Sequence, residues 1–265
     1  MRIKKAVWVF SMLIIAAALV FVISSRVNIA SDVIMGGAES VFVRSDNLSK
    51  PLDNYENKTD KTDKYENLNF PSISDDEWYL VLINDSNVRK DYAPTVREVG
   101  ESGVYFDVRV IDRLSEMLEA ARKEGFEPYL SCGYMSYAAQ QQAINEEASK
   151  LEAKGKYSYE EARKLAENTI AKPGTSDHQT GLAVDITDKQ YEHNDYSVMD
   201  KAFFGWLDEH CAEYGFIKRY PSNKAGITGW DEPWHYRFVG KEVAEFITEN
   251  GMSFEEFMAH YDYQN

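Results

Sequence analysis

The segment SDHQTGLAVD, from Ser176 to Asp185, combines a loop histidine with an aspartate in a strand-like run. After Gly181 the residues alternate, and alternate side chains of a β-strand point to opposite faces. One face is apolar (Leu182, Val184 and Ile186), whereas the other holds Ala183, Asp185 and Thr187. We therefore expect Asp185 to turn toward a cleft, with His178 on the loop that precedes the strand.

The segment EPWHYRFV, from Glu232 to Val239, predicts a second strand with one aromatic face (Trp234, Tyr236 and Phe238). Two imidazoles and one carboxylate, from His178, His235 and Asp185, suit a catalytic zinc ion that keeps a fourth position for water. Glu232, three residues before His235, suits a general base. A single histidine or aspartate near a strand is usually structural, so the prediction depends on both segments occurring together.

Three stretches together resemble the zinc D-Ala-D-Ala carboxypeptidases of the VanY type (peptidase family M15), which include LD-carboxypeptidases. The stretches are PGTSDHQTG at 173–181, YGFIKRYP at 214–221 and EPWHYRFVG at 232–240. The resemblance runs from Tyr79 to Gly240 and implies a compact α+β domain around a small antiparallel sheet. It also implies that Zn²⁺ is the cofactor, with His178, Asp185 and His235 as its ligands and Glu232 as the catalytic base.

The resemblance also assigns residues to substrate binding. Ser176 matches the motif serine that helps to hold the substrate terminus, and Gln140 matches the glutamine of the family's S-G-Y-R-S-Y-x-x-Q segment. Tyr137 lies in the same segment and is predicted to lie beside the cleft.

One position departs from the family pattern. Met135 stands where the family usually has an arginine that is assigned to substrate binding and to charge stabilisation in the transition state. Methionine carries no charge and donates no hydrogen bond. Strand alternation puts Arg237 on the same face as His235, so Arg237 is the best candidate to bind substrate and supply part of the missing charge, with Arg219 as the second candidate; whether any cation substitutes is left open.

The function implied by the resemblance is hydrolysis of the terminal D-alanine from peptidoglycan stem peptides, with D,D- or L,D-specificity left open. The alternative is a catalytically weak or inactive protein that holds zinc and binds stem peptides, because Met135 replaces the usual arginine. Stem peptides are the expected partner in both cases, and we expect the protein to be a monomer.

The N-terminus predicts a membrane location. Residues 6–23 are apolar except for Ser11, and Arg2, Lys4 and Lys5 precede them. A run of 18 apolar residues is long enough for a transmembrane helix, and basic residues before it keep the N-terminus in the cytoplasm. We therefore expect a single-pass anchor at 1–24, a disordered polar linker at 25–75 and an extracellular zinc carboxypeptidase domain at 76–265. A cleaved secretory signal is the competing interpretation.

The charge and the cysteine content exclude one class of partner and one kind of fold stabilisation. The chain has 29 basic and 44 acidic residues, a formal net charge of −15, which argues against nucleic acid as a partner. Its two cysteines, Cys132 and Cys211, are too few for a disulfide framework, and whether they form one bridge is left open.

The remaining pattern predicts strands and helices without regular βαβ alternation, which indicates an α+β domain. The predicted strands are 78–83, 127–131, 182–187, 216–219 and 235–239. The predicted helices are 110–126, 137–151, 159–170, 201–214, 241–250 and 254–261.

Overall fold

The computed structural model describes residues 65, 67–74, 77–191 and 194–264. The chain divides into two units, Met1–Gly36 and Gly37–Asn265, and the described residues all belong to the second. The expected anchor at 6–23 lies outside the described residues, as does most of the expected linker. Within the described ranges, no helix is both long and apolar enough to cross a membrane. The anchor, the linker and the domain boundaries therefore stay predictions.

Two antiparallel sheets occur in the described part of the chain. The first is a hairpin of β1 (Val96–Glu98) and β2 (Tyr105–Asp107). The second contains β3 (Tyr129–Cys132), β4 (Ala183–Thr187), β5 (Phe216–Tyr220) and β6 (Glu232–Phe238). Its strand order is β3-β4-β6-β5, and every neighbouring pair is antiparallel. This confirms the predicted α+β class and the small antiparallel sheet.

Six of the α-helices in the described residues begin and end close to the predicted limits, whereas the four-residue helix Ala225–Thr228 was not predicted. In chain order the helices are α1 (Ile111–Lys123), α2 (Tyr137–Ala153), α3 (Tyr159–Ala166), α4 (Lys201–His210), α5 (Ala225–Thr228), α6 (Lys241–Glu249) and α7 (Phe254–Gln264). The side chains of Ser136 and Ser158 cap the N-termini of α2 and α3. In α3 the cap is a capping box, since Glu161 bonds back to the backbone N–H of Ser158.

One face of the four-stranded sheet packs into the main hydrophobic core. The apolar residues of β4 and the aromatic residues of β6 lie there against α1 and α4. The buried side chains include Val184, Ile186, Tyr236, Phe238, Leu114, Met117, Phe203 and Phe204. This is the face that alternation predicted, so Asp185 and His235 are left on the other face of the sheet.

Two further clusters lie beside this core. One joins α6 and α7 and contains Val243, Ile247, Phe254 and Phe257. The other joins α2 and α3 through Ile144, Ala148, Ala162 and Ala166. The α2–α3 pair thus buries its apolar residues largely against itself.

The predicted strand at 78–83 is wrong. The segment is irregular, and the carbonyl oxygens of Tyr79 and Val81 accept hydrogen bonds from Arg237 Nη2 at 2.9 and 2.8 Å. A buried guanidinium therefore satisfies these carbonyl groups, where a strand partner would do so in a sheet. The hairpin of β1 and β2 was not predicted, because strands of three residues are too short to display a two-residue alternation.

Candidate active site

One row of residues crosses three strands of the sheet. Asp185 in β4 pairs with His235 in β6 on one side and with Cys132 in β3 on the other. Directly paired residues of antiparallel strands project their side chains from the same face of the sheet. Residues far apart in sequence therefore meet on the sheet face opposite the main core.

His178 reaches the same place from a 3₁₀ turn, Asp177–Thr180, that precedes β4. The turn ends at Gly181, whose φ of +69° is a left-handed conformation that favours glycine. A Cβ at this position would also lie 3.0 Å from Pro94 Cγ. Glycine therefore lets the turn join the strand closely, which brings His178 over Asp185.

The ligating atoms of these residues converge. Asp185 Oδ1 lies 3.5 Å from His178 Nε2 and 3.1 Å from His235 Nδ1. The two imidazole rings are 4.6 Å apart between centroids. Two atoms that bind one tetrahedral zinc ion at about 2.0–2.3 Å are separated by roughly 3.3–3.8 Å. The observed spacing is close to that of a zinc ligand set.

The hydrogen bonding of Asp185 and His235 also fits a metal. Asp185 is fully buried and His235 is 2% exposed. Neither oxygen of Asp185 and neither ring nitrogen of His235 makes an aligned hydrogen bond to any described residue. Buried polar atoms nearly always have a partner, so four such atoms in one place indicate a cation-binding site. Two imidazoles with one carboxylate form a donor set that zinc accepts.

Glu232 begins β6 at the edge of this cluster. Its Oε2 lies 3.6 Å from His235 Nδ1, and the residue is 3% exposed. Burial, reinforced by the charge of Asp185, raises the pKa of Glu232 well above its ordinary value. A carboxyl group whose pKa is raised is a stronger base than an ordinary carboxylate, which suits it to accept a proton and to return it.

The pKa values of the three other site residues shift in different directions. Burial alone would raise the pKa of Asp185, but the charges of the two histidines hold it below its ordinary value. Burial lowers the pKa of His235. Burial would also lower the pKa of His178, but Cys132 and Asp185 raise it well above its ordinary value.

A small cleft opens onto the cluster. Its lining includes Glu232, His178 and His235 together with Ser176 and Gln140, so two of the predicted substrate-binding residues do lie there. The other lining residues are Ala171, Asp177, Tyr220 and Trp230. The sequence prediction missed Tyr220 and Trp230, although both lie close to motif residues and have the aromatic character of a binding cleft.

Gln140 and Tyr137 differ in their positions. Gln140 is buried in α2, and its Nε2 donates to the carbonyl oxygen of Ala171 at 2.7 Å, whereas its Oε1 accepts from no described residue. Tyr137 is 39% exposed and is not among the residues that line the cleft. Its ring instead lies near Gly174, to one side of the cleft.

The prediction that Arg237 reaches the substrate is wrong. The residue is fully buried, and its Nη1 donates to Asp177 Oδ1 at 2.7 Å while its Nε donates to the carbonyl oxygen of Phe238. Arg219, the second candidate, is also fully buried and donates to Asp177 Oδ2 at 2.7 Å and to Glu255. Strand alternation predicted the correct face for Arg237, but it could not predict that Asp177 is the ion-pair partner.

Asp177 is a buried residue of the cleft lining that the sequence prediction overlooked. Burial would raise the pKa of Asp177, but the two guanidinium groups hold it below its ordinary value. Asp177 directly precedes His178, so the two arginines anchor the turn that carries a predicted metal ligand. The sequence did contain a signal for this pairing: an acidic residue inside the motif and two arginines on predicted strands.

The family model of the VanY D-alanyl-D-alanine carboxypeptidases matches residues 103–241, more than half of the chain. The chain belongs to this family. A D-alanyl-D-alanine carboxypeptidase of Enterococcus faecalis is 38% identical over 183 residues, which are 69% of this chain and 66% of that protein. The chain spans 66%, 53% and 48% of the length of three curated relatives that it matches.

Solved structures of two carboxypeptidases have the same fold. A mutant of the VanY D,D-pentapeptidase from a VanB-type resistance cassette, in complex with Zn(II), is 37% identical with a TM-score of 0.57. The match covers 68% of this chain and 99% of that chain. The LdcB LD-carboxypeptidase is 29% identical with a TM-score of 0.53, over 72% of this chain and 93% of that chain. Both likenesses confirm the family resemblance seen in the motifs.

Proposed function

We propose that the protein is a zinc-dependent carboxypeptidase that removes the terminal D-alanine from peptidoglycan stem peptides. The observation that supports this most directly is the buried cluster of His178, Asp185 and His235, with Glu232 beside it and a cleft above it. Membership of the VanY family supports the substrate class. Likeness to both a D,D-pentapeptidase and an LD-carboxypeptidase leaves two candidate specificities.

His178, Asp185 and His235 would hold the zinc ion, through the nitrogen and oxygen atoms that already converge. When bound, zinc supplies Lewis-acid polarisation and lowers the pKa of a water molecule to about 7. The buried, closely packed ligands would keep the site rigid. The cleft lies on the side of His178 and His235, so substrate reaches the cluster from there.

Glu232 would move the proton. Its carboxylate takes a proton from the attacking water, whose oxygen forms a bond to the carbonyl carbon that precedes D-alanine. The same carboxyl group then gives the proton to the nitrogen of the leaving D-alanine as the C–N bond breaks. The raised pKa of Glu232 and its position on the cleft support both steps.

Ser176 and Gln140 would orient the peptide. Both line the cleft, and Gln140 Oε1 is a buried acceptor without a partner among the described residues. A peptide N–H is the donor that would satisfy this oxygen. Trp230 and Tyr220 add an aromatic wall on which the small alanine side chains can pack.

The first experiment separates metal binding from turnover. Purified protein should contain one zinc ion per chain by elemental analysis and should release D-alanine from a pentapeptide or a tetrapeptide, measured by mass. His178→Ala and His235→Ala should lose both zinc and turnover, whereas Glu232→Ala should keep zinc and lose turnover. His210→Ala is the matched control, because this histidine lies on α4 beside Glu213 and outside the cleft. Stoichiometric zinc in a His178→Ala/His235→Ala double variant would contradict the proposal.

One observation favours a second candidate, a zinc-bearing stem-peptide binding protein with weak or no activity. No lysine or arginine is among the described residues that line the cleft. Position 135 adjoins the His178 turn, since the Met135 N–H donates to the His178 carbonyl oxygen at 3.2 Å, and methionine supplies no charge there. Loss of one group that stabilises transition-state charge costs about 10²–10³ in rate.

Met135→Arg distinguishes the two candidates. Measurable turnover by wild-type protein supports the enzyme, and a gain in kcat/KM for Met135→Arg then measures what the missing cation costs. Peptide binding by wild type with turnover only in Met135→Arg supports the binding protein. Thermal melting of the variant separates a catalytic effect from a folding defect.

We further propose that the domain works at the outer face of a membrane. The support is the apolar run at 6–23 with Arg2, Lys4 and Lys5 before it. Protease added to intact cells without a wall should then cleave between residues 25 and 74 and release the folded domain. Protection in intact cells with cleavage after lysis would contradict this location, and a mature N-terminus near Arg26 would indicate a cleaved signal.

A further inference from the structure

A buried thiol lies in the same row of the sheet as the predicted metal ligands. Cys132 pairs with Asp185 across β3 and β4, as His235 does across β4 and β6. Cys132 is 1% exposed, and its sulfur lies 3.7 Å from the carbonyl oxygen of its neighbour Gly133. Ligating atoms of Cys132, His178 and Asp185 all lie within 4.8 Å of one another.

We propose that Cys132 is a further protein ligand of the metal ion, so that the centre contains a thiolate beside two imidazoles and a carboxylate and stays open to the attacking water on the cleft side. The inference rests on the proposed zinc site and adds to it a donor outside the motif ligands. Cys132 would bind as the thiolate, and metal binding would release the thiol proton to solvent.

The packing of the site supports this assignment. The unsatisfied buried atoms of Asp185 lie between Cys132 and His235, so a cation that satisfies Asp185 lies next to the sulfur. The ligating atoms of Cys132, His178 and Asp185 therefore lie close enough together to hold one cation. Cys132 is not among the cleft-lining residues. It therefore approaches from the protein interior and leaves the cleft side to substrate.

A thiolate changes which metals the site prefers. Thiolates bind soft ions such as Cd²⁺ strongly, whereas imidazoles and carboxylates prefer soft ions less. Wild-type protein should therefore prefer Cd²⁺ over Zn²⁺ more strongly than a Cys132→Ser variant does.

The other cysteine provides a matched control. Cys211 is also buried, at 2% exposed, but it lies in the main hydrophobic core, and burial raises its pKa to about 12. Cys211→Ser removes a buried thiol of equal size without touching the predicted ligands.

The decisive measurement is the absorption spectrum of the protein loaded with Co²⁺. Wild type and Cys211→Ser should have a thiolate-to-Co²⁺ charge-transfer band in the near ultraviolet, and Cys132→Ser should lose that band while keeping the visible bands of bound Co²⁺. The ratio of Cd²⁺ to Zn²⁺ affinity should fall in Cys132→Ser on the order of tenfold. If Cys132→Ser does not fold, the wild-type spectrum alone decides.

Visible Co²⁺ bands in wild type without the charge-transfer band would overturn the inference and leave the proposed function intact. In that case the thiol only contacts His178. Absence of any bound Co²⁺, Cd²⁺ or Zn²⁺ in folded wild type would overturn both the inference and the proposed metal site.

Discussion

Replacing Asp177 by asparagine tests whether the buried ion cluster under the His178 turn stabilises the domain. Asp177 accepts from Arg219 and Arg237 at 2.7 Å each, and all three side chains are fully buried. Arg219 has Glu255 as a second carboxylate partner, so two cations face two carboxylates. The Asp177→Asn variant would keep the shape of the side chain and lose its charge, which leaves Arg237 with carbonyl and amide oxygens alone.

The expected cost follows from this geometry. Removing one partner of a buried ion pair typically destabilises a protein by about 3–5 kcal/mol, because the remaining charge is buried without compensation. For a domain of this size each kcal/mol lowers the melting temperature by about 2–4 °C. We therefore expect Asp177→Asn to melt about 6–20 °C below wild type.

The assay is thermal and urea unfolding of metal-depleted wild type and variants, since bound metal would stabilise the folded state by itself. Glu116→Gln is the control, because the Arg113–Glu116 pair on α1 is exposed and should contribute less than about 1 kcal/mol. Combining Asp177→Asn with Arg237→Met should recover part of the loss by removing the uncompensated charge. A single Asp177→Asn variant as stable as the Glu116→Gln variant would refute the reasoning.

Two further predictions concern the stability of the fold. Gly133→Ala should lower the melting temperature, because the added Cβ would lie 2.5 Å from the Tyr105 carbonyl oxygen. Gly205→Ala is the control, because open space surrounds this position in α4, and it should be neutral or stabilising. Burial would raise the pKa of Glu256, but Lys224 holds it below its ordinary value of 4.5. Glu256 therefore stabilises the fold above about pH 4.5 and less as the pH falls, so the stability difference between wild type and Glu256→Gln should shrink in urea titrations at acid pH.

The strand pattern predicted the faces of the sheet correctly. The alternation of β4 put Val184 in the core and Asp185 opposite it, and the alternation of β6 did the same for Tyr236 and His235. These predictions succeed because side-chain direction in a strand is a local property with a period of two. The cleft positions of Ser176 and Gln140 could be predicted only from the family resemblance.

Features that depend on contacts distant in sequence were missed. The 78–83 segment has the composition of a strand, yet its carbonyl groups bond to a side chain from β6. The pairing of Cys132 with Asp185 requires the register of β3 against β4, which includes an irregularity after Leu130. Neither the register nor the irregularity has a local signal in the sequence.

The same sheet face has different roles at its two ends, and this division explains why Arg237 could not serve the substrate. At one end Asp185 and His235 pair across the strands and face the predicted metal. Two residues away on each strand, before Asp185 in β4 and after His235 in β6, Ala183 pairs with Arg237. The small alanine leaves room for the guanidinium to reach Asp177. Arg237 thereby holds the turn that delivers His178 to the first end. The side chain of Arg237, which alternation placed on the face of the site, instead orients the turn of a predicted ligand. Any charge stabilisation of substrate must therefore come from residues other than Arg237 and Arg219.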